Sequence, residues 1–103
     1  MAKGRSIPVV LGTVTFPSRL AATNYFHAAL QSYAPGDRVA PEHEALLREL
    51  LNRHPDAAAK IGDGIAHFGV IQADFMSQCF AVYRDDGSFE RFSYHTCISE
   101  GAY

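Results

Sequence analysis

Tryptophan is absent from this chain, so large buried surfaces must come from its seven Phe and five Tyr residues. Cysteine occurs only twice in 103 residues, which excludes a disulfide framework and leaves two reduced thiols as the expectation. A basic surplus is also missing. Nine Lys and Arg face eleven Asp and Glu, a net charge of −2, whereas a strongly nucleic-acid-binding domain usually shows positive excess. No apolar run approaches the roughly 18 residues of a membrane span. The longest candidate, Ile7 to Phe16, is interrupted by Gly12, Thr13 and Thr15. Met1 to Arg5 lead into no apolar signal segment, so a cytoplasmic protein with no membrane partner is expected.

What is present reads as one globular unit. Apolar residues make up 48% and charged residues 19%, enough for one core and too little chain for two. Residues 1–6 are expected to form a flexible arm and 7–103 a single domain. Lys3, Arg5 and Arg19 occur with no acid before residue 20, which reads as a solvated arm more readily than as a phosphate-contacting tail. Residues 7–16 are rich in β-branched side chains and read as one bent strand or a small hairpin at Gly12, with Pro8 at its start.

Ser18 is placed as an N-cap, and Ala22, Phe26, Ala29, Leu30 and Tyr33 share one helical face up to Ala34-Pro35-Gly36-Asp37. Pro41 suits a first helical position, with Glu42 and Glu44 at the positive end of the dipole. His43, Leu46, Leu47, Leu50, Leu51 and His54 line the second face until Pro55 stops it. A short turn follows, capped by Asp56 and closed by Gly62. Three extended runs, Ile65–Asp74, Gln78–Arg84 and Ser88–Phe92, are joined by Asp74–Ser77 and by the hairpin signal Asp85-Asp86-Gly87. Short links make these neighbours antiparallel. Ser93 caps a last helical turn carrying Tyr94, Cys97 and Ile98.

Chemistry-bearing residues are few. Cys79, Cys97, His67 and His95 number enough for a tetrahedral zinc site, but no Cys-x-x-Cys knuckle gathers them, and small buried thiols explain the cysteines as well. A nucleophilic Cys97 needs a base, and His95 lies two positions away, where helical side chains point apart. Gly62-Asp63-Gly64 lacks the spacing of a phosphate-binding loop and reads as a helix stop. No metal and no cofactor is therefore expected, and no catalytic residue is assigned. Aromatic side chains on a sheet can stack bases while a few cations steer the backbone. Phe68, Phe80, Tyr83, Phe89, Phe92 and Tyr94 lie in the strand region, although packing by helices would bury many of these rings.

Several ordered motifs make the chain resemble a known family. They are His54-Pro55, Lys60-Ile61-Gly62-x-Gly64-Ile65-x-x-Phe68-x-Val70, Ser77-x-Cys79-Phe80, Arg84-x-Asp86-Gly87-Ser88 and Phe92-Ser93-Tyr94-x-x-Cys97-Ile98. From about Phe16 to Ile98 the sequence is similar to the DCL domain, named after the plant protein "defective chloroplasts and leaves". Plant relatives are associated with ribosomal RNA maturation, and a similar domain closes the largest subunit of a plant-specific RNA polymerase. The resemblance implies RNA or ribonucleoprotein work and carries no established catalytic residue.

The expected fold is α+β: an antiparallel sheet of three to five strands against two main amphipathic helices. Phe26, Leu30, Leu47, Leu50, Leu51, Ile65, Phe68, Val70, Phe80, Val82 and Phe92 form its expected core. The function expected is a non-catalytic module that binds RNA or a ribonucleoprotein through Lys60, His67, Arg84, Arg91, Tyr94 and His95. The alternatives are a protein-interaction module without nucleic acid and a Cys/His metal or hydrolytic site.

Overall fold

The computed structural model describes residues 8–74 and 77–100. Nine elements follow in order: β1 Val9–Leu11, β2 Val14–Phe16, α1 Arg19–Gln31, α2 Pro41–Leu51, α3 Ala57–Ile61, β3 Ile65–Gln72, β4 Gln78–Arg84, β5 Phe89–Phe92 and α4 Tyr94–Glu100. The expected arm, residues 1–6, lies outside the described residues, as do Phe75 and Met76 in the β3–β4 link.

Local sequence accounts for most boundaries. Gly12 takes φ +64°, a left-handed conformation that glycine adopts without steric cost, and turns β1 into β2. The Ser18 hydroxyl accepts a 3.0 Å hydrogen bond from the Ala21 amide and so starts α1. Ala22, Phe26, Ala29 and Leu30 are the buried face of that helix. Pro41 opens α2, and Leu47, Leu50 and Leu51 are its buried stripe. The helix ends at Leu51, short of His54, because Pro55 excludes helical geometry from the residue before it. Asp56 does not use its side chain to cap α3, while Gly62 closes that helix at φ +55°. Beyond Ser93, whose hydroxyl accepts from the Thr96 amide at 3.3 Å, the expected single turn extends to the seven residues of α4.

β3, β4 and β5 form the expected antiparallel meander. In register, Phe68 faces Val82, Val70 faces Phe80, and Phe80 faces Phe92, so these five side chains share one sheet face. Against them pack Phe26 and Leu30 of α1, Leu47, Leu50 and Leu51 of α2, and Cys97 and Ile98 of α4. Ile65 is only half-buried at the margin of this cluster, because a bulge between Ile65 and His67 breaks the register there.

The N-terminal hairpin differs from an extension of this sheet. It is a separate two-stranded sheet that inserts Val9 and Leu11 into the core. The outer edge of β3 is occupied instead by residues 36–39. Gly36 donates to the Val70 carbonyl at 2.7 Å, Val70 to Asp37 at 3.0 Å, and Val39 to Phe68 at 2.9 Å. Arg38 thereby bridges to Gly69, and Val39 enters the core. Three main-chain hydrogen bonds satisfy an edge that would otherwise stay unpaired.

Candidate nucleic-acid interface

Strand side chains alternate between faces. With Phe68, Val70, Phe80, Val82 and Phe92 turned to the core, His67, Gly69, Cys79, Ala81, Tyr83, Phe89 and Arg91 fall on the other face. There His67 pairs with Tyr83, and Tyr83 with Phe89, so three rings run across the sheet. The His67 and Tyr83 rings stack at 4.6 Å and 9°, and Tyr83 and Phe89 at 5.2 Å and 23°. Phe89 is 53% exposed, a large apolar ring left to solvent at the end of the row.

Gly69 makes this arrangement possible. A Cβ there would sit 2.9 Å from the Tyr83 ring and 3.1 Å from the Asp37 carbonyl oxygen, so only a bare Cα lets both approach. Arg38 pairs with Gly69 and Arg91 with Ala81, and register therefore assigns both arginines to the face that carries the rings. Both are exposed, and neither makes an ion pair among the described residues. The surface thus combines a stack of three rings, exposed at its Phe89 end, with two guanidinium groups that make no ion pair among the described residues.

The six residues singled out from sequence do not converge on that face. His67 and Arg91 lie on it. Lys60 and Arg84 are drawn to Glu90 on the core-facing side of β5, at 2.6 Å and 3.2 Å. Arg84 also donates to the Lys60 carbonyl at 2.7 Å and to the Ser88 hydroxyl at 2.9 Å. The Lys60 hydrogen bond, ahead of that from Arg84, holds the Glu90 carboxyl below its ordinary range. Tyr94 is a core residue, only 7% exposed, with its phenol 3.4 Å from His27 Nδ1. His95 is exposed and stacks on the Tyr94 ring at 4.3 Å. Lys60, Arg91, Tyr94 and His95 do border one groove of about 750 Å³, between the C-terminal half of α1, the start of β4 and the β5–α4 junction.

Tyr83 and Phe89 were read from sequence as strand aromatics without a place in the site. Counting outward from the Asp85–Gly87 turn pairs them on one face, so the signal was present. Arg38 gave none, because its place depends on a loop meeting a strand edge.

The thiols offer little chemistry. Cys97 is fully buried, and burial pushes its thiol up to about 12, which keeps it protonated and non-nucleophilic at neutral pH. Burial also raises the Cys79 thiol, partly opposed by Arg91. Among the described residues no three His, Cys, Asp or Glu side chains are grouped to hold a metal ion. No helix among them is long and apolar enough to cross a membrane.

An antiparallel sheet with one face packed by helices and the other bearing aromatic and cationic side chains defines the class: a small α+β domain with an uncommitted sheet surface. Comparison with known proteins makes the class specific. The chain belongs to the DCL-like family described as a protein of unknown function (DUF3223), whose model matches residues 27–98. It is 42% identical over 69 residues to the chloroplastic protein DCL of Solanum lycopersicum, which covers 64% of this chain and 31% of that protein. It is 34% identical over 98 residues to DNA-directed RNA polymerase IV subunit 1 of Arabidopsis thaliana, covering 92% of this chain and 7% of the subunit. The chain therefore spans well under half of either relative. Among solved structures, an uncharacterized protein of Rhodospirillum rubrum studied by solution NMR superposes with a TM-score of 0.84 at 43% identity, covering 94% of this chain and 91% of that one.

Proposed function

We propose that this domain is a non-catalytic module that binds single-stranded RNA on its open sheet face. The observation that carries the reading is the stacked row His67–Tyr83–Phe89 with Arg38 and Arg91 on the same surface. Every base has a π-face, so the exposed Phe89 at the end of the stack can receive an unpaired base whatever its sequence and so extend the row, at about 1–3 kcal/mol per stacked base. Guanidinium groups beside the row meet the phosphates, which explains how a chain of net charge −2 engages a polyanion locally. A relative that is an RNA polymerase subunit supports RNA as the polymer. We take that RNA to be ribosomal in origin, the expectation carried by the family resemblance, with the module acting inside a larger assembly.

The test is fluorescence anisotropy of a labelled oligouridylate at low salt, with Tyr83→Ala and Phe89→Ala beside the parent protein. Each variant is expected to weaken binding by roughly 5- to 150-fold, the equivalent of one lost stacked base. Binding that is undetectable in the parent, or unchanged in both variants, overturns the reading. Protein partners recovered on the intact domain that survive nuclease treatment, with no RNA bound, would replace it with the protein-interaction alternative.

A further inference from the structure

The groove at the β5–α4 junction is not needed for stacking bases on the sheet, yet its walls carry their own chemistry. Its volume of about 750 Å³ lies inside the roughly 300–1,000 Å³ typical of small-molecule sites. Leu30, Phe80 and Phe92 form a floor that is at most 5% exposed. Above it stand the imidazoles of His27, His54 and His95 together with Arg91.

Two details give these walls a preference. Glu90 is the one carboxylate in the lining among the described residues, and Lys60 and Arg84 already neutralise it at 2.6 Å and 3.2 Å. The Arg91 guanidinium has no such partner among the described residues. The His54 ring has its Nδ1 occupied as acceptor for the Asp56 amide at 2.9 Å, which fixes Nε2 as a donor. Gln78 supplies no donor, because its amide nitrogen is spent on the Leu30 and Tyr33 carbonyls at 2.7 Å each. Among the described residues the groove therefore offers one fixed donor, His54 Nε2, and one cation without an ion-pair partner, Arg91, while its carboxylate is already paired. A phosphate group matches that set, and the groove is too large for a phosphate alone.

We propose that this groove is a second binding site, for the phosphate monoester end of a nucleotide. Arg91 belongs both to its wall and to the face that carries the aromatic row, so the two surfaces are continuous. A strand lying on the sheet would deliver its 5′-phosphate here, and a free nucleoside monophosphate presents the same group. Only the first of these sources rests on the RNA reading given above.

Two arms separate the sources. In the first, AMP and then adenosine are titrated into the ¹⁵N-labelled protein, with the His27, His54 and His95 ring signals followed by NMR. AMP is expected to move these signals and adenosine to bind about tenfold more weakly, the loss of one charge-assisted contact set. In the second, oligouridylate with a 5′-phosphate is compared with its 5′-hydroxyl counterpart by anisotropy. The phosphorylated strand is expected to bind about tenfold tighter, and His95→Ala and His27→Gln to abolish that difference while leaving the hydroxyl strand unchanged. Groove signals unmoved by AMP, or moved equally by adenosine, together with equal affinity for both strands, overturn the proposal. If neither strand binds while AMP moves the groove signals, the groove site stands and the RNA reading of the sheet face fails.

Discussion

Adding one methyl group to Gly69 probes the sheet face without touching any ring. Gly69 is not held at positive φ, so an Ala there meets only steric resistance. Its Cβ would lie 2.9 Å from Tyr83 Cε1 and 3.1 Å from the Asp37 carbonyl oxygen, both inside ordinary contact distance. The Asp37 oxygen accepts from Val70 at 3.0 Å and cannot retreat without loosening the 36–39 segment. The Tyr83 ring sits between His67 at 4.6 Å and Phe89 at 5.2 Å, so its movement breaks the row. Overpacking of this kind costs about 1–3 kcal/mol. For a domain of about 100 residues each kcal/mol lowers Tm by roughly 4–8 °C. Urea unfolding of Gly69→Ala in parent and Tyr83→Ala backgrounds isolates the ring's share. The substitution is expected to cost at least about 0.5 kcal/mol less once Tyr83 is truncated, and RNA affinity to fall in the parent background alone. An identical cost in both backgrounds would refute the claim that the ring occupies the space above Gly69.

Ser18→Ala removes the side-chain acceptor at the start of α1 and is expected to cost about 1 kcal/mol by urea unfolding, where Ser18→Gly costs less. Phe26→Ala, at a side chain 1% exposed, is expected to cost about 3–5 kcal/mol and to lose much of the cooperative thermal transition followed by circular dichroism. Glu90 titrates lower in the folded chain than its ordinary 4.5, so its stabilisation is present above that pH and fades as pH falls through the folded value. Glu90→Gln should therefore cost up to about 1 kcal/mol at pH 7, since the carboxylate is 41% exposed, and nothing once Glu90 is protonated; a pH-independent cost contradicts the ion pairing. Iodoacetamide followed by mass spectrometry should label half-buried Cys79 before Cys97, which reacts only as the chain unfolds.

Much of the architecture was legible because it is written in periodicity. The stripes Ala22–Phe26–Leu30 and Leu47–Leu50–Leu51 identify α1 and α2, and Asp85-Asp86-Gly87 identifies the β4–β5 turn. Loop geometry was not legible. Arg38 and Val39 join the sheet edge and the core through main-chain hydrogen bonds to β3, a pairing between a loop and a strand some 30 residues away that no local pattern announces. The site was read only in part for the same reason. Lys60 and Arg84 look like free cations in sequence, and only the fold brings Glu90 across to both. Tyr94 reads as a surface aromatic, but the start of α4 turns its ring inward beside Phe26 and Phe80. His67, by contrast, keeps its place because strand alternation opposite Phe68 and Val70 decides it.

The margins of the sheet bear on how such a chain behaves when crowded. One margin is closed by Gly36–Val39, and at the other Lys60 reaches over β5 to the Arg91 carbonyl at 3.4 Å. A sticky aromatic surface would be hazardous beside raw strand borders, since copies of the protein could zip together into a continuous ribbon. A backbone strip along β3 and a lysine ammonium at the β5 border each discourage such zipping, which leaves the ring-bearing face as the surface on which copies would meet.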